Sequence, residues 1–254
     1  EAVWQTSGSG GFTQRDPSDG QPATEATTVW IAYDHDNLYI AARLSDFGFK
    51  DDDILLVYAG RIAPEKNLDF LFQAFAGVSQ VIPNVYLLIV GSGQKDHLEV
   101  ITPIPGELGI ADRVRFVGMI PYDRLPSHLA MCDVFVTASV TEVHPLSVIE
   151  AMGTGLPILG IDSPGVGDSV TDGETGLIAK DDLASFTAKL TYLCLNRNLH
   201  KKFGAAARKA SEQYSVERTT KIMLEHYKRL TQNTKPLKPK LDERLMAILE
   251  EFLK

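Results

Sequence analysis

After Asp53, short unbroken runs of Val, Leu and Ile recur between longer segments in which apolar residues return every three or four positions. The runs occupy 55–59, 85–90, 114–117, 134–137, 157–161 and 177–179. A strand with one wet face alternates apolar and polar side chains, so an unbroken apolar run must be covered on both faces. Strands of this kind separated by helical segments build βαβ units, and the chain is expected to form an α/β fold with a doubly wound parallel sheet. The helical periods fall at 68–81, 124–131, 146–152, 183–195, 199–214 and 216–230.

Before residue 50 the pattern is different. The stretch 7–23 is rich in Gly, Ser, Asp and Pro and reads as loop, whereas TTVWIAY and NLYIAARL alternate on either side of Asp34, His35 and Asp36 and read as a β-hairpin. One hairpin alone does not bury enough to hold itself together. At the other end, residues 235–240 with two prolines read as a connector to an amphipathic helix at 241–253, whose Leu245, Ile248, Leu249 and Phe252 share a face. The expected organisation is a β-segment at 1–50, an α/β domain at 51–232, and a connector with a last helix at 233–254.

Charge and cysteine content exclude several function classes. With 25 basic and 33 acidic residues the net charge is −8, which argues against a general nucleic-acid binder, whose affinity rests on neutralising phosphates. The charge is uneven, however: residues 200–240 carry eleven basic and three acidic residues, which reads either as a solvated helix face or as a contact with an anionic membrane surface. No apolar run reaches the roughly 18 residues of a membrane span. Residues 1–13 lack the charged and apolar regions of a secretory signal, so the expected setting is cytoplasmic, with the inner face of the membrane as a site of peripheral contact. Cys132 and Cys194 lie in apolar periodic segments and are expected as reduced core thiols.

In an open parallel sheet ligands bind beyond the carboxyl ends of the strands, and three segments stand there. GRIAPEKN, residues 60–67, offers Gly60 for close backbone approach, the planar fork of Arg61 and the point charge of Lys66, a set suited to a diphosphate and equally compatible with a surface turn. GSGQ, residues 91–94, superficially resembles a dinucleotide fingerprint, but Asp96 stands where its last Gly belongs, so a tight turn with close backbone packing is the better reading. TASVTEVHPLSVIEAMGTGLPILG, residues 137–160, runs strand, loop, helix and next strand, with seven residues between Glu142 and Glu150. Glu142 is expected in the loop and Glu150 about one turn inside the helix, so the two face different parts of one extended ligand. Pro145 suits the first helical position, and free N–H groups at Leu146 and Ser147 with the helix dipole would attract a phosphate.

These segments, with VRFVGMIPYDRLP and DGETGLI in the expected order, resemble the C-terminal, donor-binding domain of family 4 glycosyltransferases of the GT-B fold from about residue 55 to 230. The resemblance implies a nucleoside-diphosphate sugar as donor substrate, with no cofactor and no metal. It implies that Arg61 and Lys66 neutralise the donor diphosphate, that Glu150 binds the ribose hydroxyls and that Glu142 faces the sugar as a positioning group. It further implies that backbone near Met119 and Ile120 flanks the base, and that SPGVGD, residues 163–168, closes near the sugar. The family pattern usually has an aromatic residue and a Gly where this chain has His144 and Pro145. Pro145 removes a backbone donor that commonly approaches the ligand, while His144 brings a side chain able to donate to it. The resemblance implies retention of anomeric configuration without a protein nucleophile. Two acidic lookalikes are set aside: Asp34 to Asp36 read as a hairpin tip and Asp51 to Asp53 as a solvated junction, not as the metal-binding D-x-D of the other major glycosyltransferase fold.

Residues 1–50 resemble the opening of a β-sandwich related to family 9 carbohydrate-binding modules over about 40 residues, and read as a remnant or fusion joint of weak structural role. GT-B enzymes bind acceptor on an N-terminal Rossmann-like domain, and unrelated residues stand in that place here. Two function classes therefore stay open: a retaining glycosyltransferase of which this chain supplies mainly the donor-binding half, with an unidentified acceptor and a partner supplying the other half, or a non-catalytic sugar-nucleotide or glycan-binding module. A third reading, an inert interaction protein, expects neither ligand to bind.

Overall fold

The computed structural model describes the backbone of residues 5–6, 28–33 and 38–43, then residues 49, 50, 52–233 and 251. It divides into two compact units, residues 1–212 and 213–254. In the first unit, strands β1 (Gln5–Thr6), β2 (Thr28–Tyr33) and β3 (Leu38–Arg43) form an antiparallel sheet in that order. β2 and β3 pair without a break from Thr28 opposite Arg43 to Tyr33 opposite Leu38, which is the hairpin expected from the alternation. The tip at 34–37, the loop at 7–23 and, residue 251 apart, the helix expected at 241–253 lie outside the described residues.

The second sheet carries the fold. Strands β4 (Ile54–Ala59), β5 (Val85–Val90), β6 (Val114–Gly118), β7 (Val134–Thr137), β8 (Ile158–Ile161) and β9 (Gly176–Ala179) are all parallel, in the order β6-β5-β4-β7-β8-β9. Each expected run is a strand because its side chains are divided between two cores. Ile54, Leu56 and Tyr58 enter one core, with Val85, Leu87 and Ile89 of β5 and Val134 and Val136 of β7. Leu55, Val57 and Ala59 enter the other, with Leu88, Val90 and Phe135.

Helices close both faces. The first core is covered by α1 (Leu68–Val81), through Leu71, Phe72, Phe75 and Val78, and by α7 (Leu183–Leu195), through Phe186, Leu190 and Leu193. On the second lie α4 (Leu125–Ala130), through Leu129, and α5 (Leu146–Gly153), through Val148, Ala151 and Met152. α8 (Arg197–Ser211) reaches both, with Phe203 in the first and Ala207 in the second. Three short helices, α2 (Lys95–Ile101), α3 (Ile104–Glu107) and α6 (Val166–Ser169), are not visible in the periodicity, because each is two turns or less and Pro103, Pro105, Gly106 and Gly165 punctuate them. Both cysteines are buried and neither is in a disulfide, and burial, reinforced by the charge of Asp133, pushes the Cys194 thiol up to about 12.

In the second unit, α9 (Val216–Asn233) presents Val216, Met223, Tyr227 and Leu230 along one side and Arg218, Lys221, Lys228 and Arg229 along the other. All four apolar residues are more than half exposed. Among the described residues no helix is long and apolar enough to cross a membrane.

The close packing expected of GSGQ is present. A Cβ on Gly91 would stand 1.9 Å from the Gly60 carbonyl oxygen, and one on Gly93 would stand 2.0 Å from that of Ile62. The Gly60 N–H donates to Val90 O at 3.0 Å and the Ile62 N–H to Ser92 O at 2.8 Å, so the β4–β5 ladder continues into the loops. Gly91→Ala, at φ +134 and against backbone, is expected to cost about 3 kcal/mol in urea unfolding, whereas Gly109→Ala, at φ +70 in open space, costs about 1.

Candidate functional site

The strand order reverses between β4 and β7. The chain leaves β4 for β5 on one side and later returns to place β7 on the other, so the loops after β4 and β7 diverge and open a crevice. A cleft of about 220 Å³ occupies it, lined by Gly60, Arg61 and Lys66 from the first loop and by Glu142, His144, Leu146 and Ser147 from the second, with Tyr58 beneath. Seven of the ten residues singled out from the sequence thus meet in one crevice, from two segments about 80 residues apart.

The first loop is shaped from below. The buried Tyr58 hydroxyl donates to the Arg61 carbonyl at 2.7 Å, and burial, with the charges of Glu142 and Glu65, pushes its pKa up, so it stays a donor at any physiological pH. A 3₁₀ turn, Pro64–Lys66, is closed by Asn67 in the left-handed region at φ 54, which Asn tolerates better than most residues. Lys66 leaves this turn toward the second loop and forms an ion pair with Glu142, the two side chains being 16% and 17% exposed. Arg61 is paired with Glu65 on the rim, 70% and 34% exposed. The Glu65 carboxyl is held below its usual range by its own backbone N–H and then by the Arg61 guanidinium.

The second loop is anchored by serines. Ser139, fully buried, donates from its hydroxyl to the Glu65 carbonyl at 3.3 Å, and the Ser163 hydroxyl donates to the Ser139 carbonyl at 2.9 Å. Gly165, at φ +82, lies so close to Glu142 that a Cβ would meet its carbonyl oxygen at 2.5 Å, so SPGVGD packs directly on the Glu142 backbone.

At the start of α5 the structure corrects the sequence reading. Pro145 precedes the first helical residue, at φ −79 and ψ 79, an inverse γ-turn in which the Leu146 N–H donates to the His144 carbonyl at 2.9 Å. Leu146 therefore does not offer a free N–H. Ser147, one residue further in, does: among the described residues its N–H has no hydrogen-bond acceptor.

Glu150, Met119 and Ile120 do not line the cleft. Met119 is 80% exposed, and Ile120 packs against the second core. Glu150 accepts a hydrogen bond at 2.6 Å from the hydroxyl of Tyr122, which sits in the turn just after Met119 and Ile120. The loop expected to flank the base and the carboxylate expected to bind the ribose are therefore in contact. Tyr58 and Tyr122 are two residues in contact with these groups that the sequence did not single out. Tyr58 looks like one more apolar strand residue, and Tyr122 like one more exposed loop aromatic.

A larger hollow of about 510 Å³ lies beyond β8 and β9, bordered by Asp162, Asp172, Lys180 and Lys189. Its Lys189 is already satisfied by Asp172 at 3.3 Å and by the Ile178 carbonyl. The smaller crevice is the stronger candidate because it stands at the reversal of strand order and gathers cations from one loop opposite a helix start from the other.

Tyr58→Phe is expected to cost about 1 kcal/mol in urea unfolding and to raise hydrogen exchange at Arg61 and Ile62, since the Arg61 carbonyl loses its donor.

Residues 43–210 match the family model of glycosyl transferases group 1. The chain is 29% identical over 181 residues to EpsD of Bacillus subtilis, covering 71% of this chain and 46% of that one. It is 30% identical over 193 residues to the D-inositol 3-phosphate glycosyltransferase of Nocardia farcinica, covering 74% of this chain and 43% of that one. The pneumococcal O-GlcNAc transferase GtfA, solved in complex with UDP and GlcNAc, superposes with a TM-score of 0.60 at 25% identity, over 72% of this chain and 37% of that one. The chain spans less than half the length of any of these three. Its sheet order, its crevice and a family match over well over half its length lead to one conclusion: the chain belongs to the glycosyl transferases group 1 family, with the α/β fold of one half of a GT-B enzyme.

Proposed function

We propose that this chain is the donor-binding half of a retaining glycosyltransferase, a hexosyltransferase-like enzyme that takes a sugar from a nucleoside-diphosphate sugar. The observation that carries this reading is the crevice itself: Arg61 and Lys66 stand across from the Ser147 N–H, with Glu142 between them and the SPGVGD turn. Cleavage of the glycosidic bond puts negative charge on the departing diphosphate and positive charge on the anomeric carbon. Arg61 and Lys66 answer the first without a metal, and the N-terminus of α5 adds a donor with its dipole. Glu142 then serves two purposes. It holds Lys66 in place while the site is empty, and its carboxylate is at hand for sugar hydroxyls once the diphosphate takes Lys66. His144 borders the same space and Gly60 lets the first loop approach the phosphates. Glu150 takes the ribose hydroxyls, and Met119 and Ile120 flank the base.

In this reading residues 51–232 are the donor domain and 233–254 a connector and last helix. The acceptor is bound by a second Rossmann-like half, for which a partner subunit is one source. The sandwich-like sequence of residues 1–50 is expected to carry no carbohydrate affinity. The protein works in the cytoplasm, and the basic side of α9 with its exposed Val216, Met223, Tyr227 and Leu230 suits contact with an anionic inner membrane surface.

Calorimetric titration with UDP, GDP and ADP tests the donor site: one of them binds, and Lys66→Ala weakens that binding about 10- to 100-fold, as expected for loss of a charge-assisted contact. Unchanged affinity would remove the phosphate assignment. Vesicles containing phosphatidylserine are expected to sediment the chain at low salt and release it in high salt. Binding indifferent to salt would exclude the anionic-surface contact.

A further inference from the structure

Glu150 and Tyr122 reach each other from different elements. Glu150 projects from α5, after β7, and Tyr122 from the 3₁₀ turn Tyr122–Arg124, after β6. The phenolic hydroxyl donates to Oε1 at 2.6 Å across 28 residues of chain. The ring of Tyr122 is 76% exposed, so packing does not hold it in that orientation. The carboxylate does, and it also pushes the Tyr122 pKa up, first through this hydrogen bond and then through its charge, keeping the phenol protonated as a donor.

A glutamate on a helix surface is otherwise free to turn about its side-chain bonds, and fixing it on binding costs entropy. A carboxylate can accept about four hydrogen bonds, and the phenol uses one of them. Oε2 and one lone pair of Oε1 remain, on a carboxylate whose Oε1 is held by the phenol.

We propose that Tyr122 is a positioning residue of the donor site: its hydroxyl fixes the Glu150 carboxylate for the two neighbouring hydroxyls of the donor ribose, and thereby sets selectivity for ribonucleoside over 2′-deoxyribonucleoside diphosphates. This rests on the donor-site reading above and adds to it a residue and a discrimination. A bidentate contact to a diol is sensitive to the plane of the carboxylate, whereas a general charge attraction is not. Loss of the Tyr122 hydroxyl therefore affects the ribo form and spares the deoxy form.

The experiment is calorimetric titration with whichever of UDP, GDP and ADP binds, and with its 2′-deoxy counterpart, on the wild-type chain, Tyr122→Phe, Glu150→Ala and the double variant. Wild type is expected to favour the ribo form, and Tyr122→Phe to reduce the ratio of the two affinities about 3- to 10-fold with the unfolding temperature unchanged. Glu150→Ala brings the ratio close to one, and adding Tyr122→Phe to it changes nothing further. If nucleotide binds but the ratio is the same in Tyr122→Phe, if both forms weaken equally, or if wild type does not discriminate, the proposal is overturned and the donor site stands. If none of the three nucleotides binds wild type, the donor-site reading falls and takes the proposal with it.

Discussion

The parallel pairing of β4 with β5 on one edge and β7 on the other is the constraint on which the rest of the molecule depends. Its six residues are all buried, and it pairs with β5 from Ile54 opposite Val85 to Ala59 opposite Val90. On the other edge Leu56 lies opposite Val134 and Val57 opposite Phe135. With both edges used and both faces covered, β4 cannot slip by one residue without exchanging its two sets of side chains between cores. That register places Tyr58 on the face from which its hydroxyl reaches the Arg61 carbonyl. It also makes the chain leave β4 in one direction and arrive at β7 from the other, and the crevice is the space between those two loops.

Charge in the crevice is balanced before any ligand arrives. Lys66 and Glu142 are mostly shielded from water, so their attraction is only weakly screened, and removing either would leave a poorly solvated charge. Arg61 and Glu65 sit on the rim, where such a pair contributes little, on the order of 0–1 kcal/mol. The two cations thus differ in kind. Arg61 pairs with its neighbour in water, whereas Lys66 pairs with a distant carboxylate largely out of it. In the proposed donor site a diphosphate would meet cations already oriented, and the carboxylates it displaced would remain at hand as acceptors for hydroxyl groups. Beside the cleft Tyr122 and Glu150 repeat the arrangement with a neutral donor, at a solvent-exposed position.

Much of this was legible in the residues. The strand runs appear within a residue or so of their expected places, because two-sided burial demands unbroken apolar stretches, and the long helices follow from their apolar stripes. Arg61, Lys66 and Glu142 could be picked out because they follow strands at the carboxyl end of a parallel sheet, where ligands bind, and because the motifs around them resemble a known donor-binding domain. What was not legible depended on neighbours distant in sequence. Nothing near Tyr58 announces that its hydroxyl will meet a carbonyl three residues on, and nothing near Tyr122 announces Glu150. Pro145 was read as a helix start on the strength of its fixed φ, but its ψ of 79 turns the chain first and uses the Leu146 N–H.

The sequence by itself determined that this chain would build a parallel sheet covered on both faces, and which segments would stand at the carboxyl ends of its strands. Those properties follow from local periodicity, and each run of residues carries its own. Only the tertiary structure decided that the segments at 60–67 and 137–147 would face each other, that Lys66 would find Glu142 and not the nearer Glu65, and that Tyr122 would hold Glu150. Such pairings depend on strand order and on the divergence of two loops, and no local pattern encodes them.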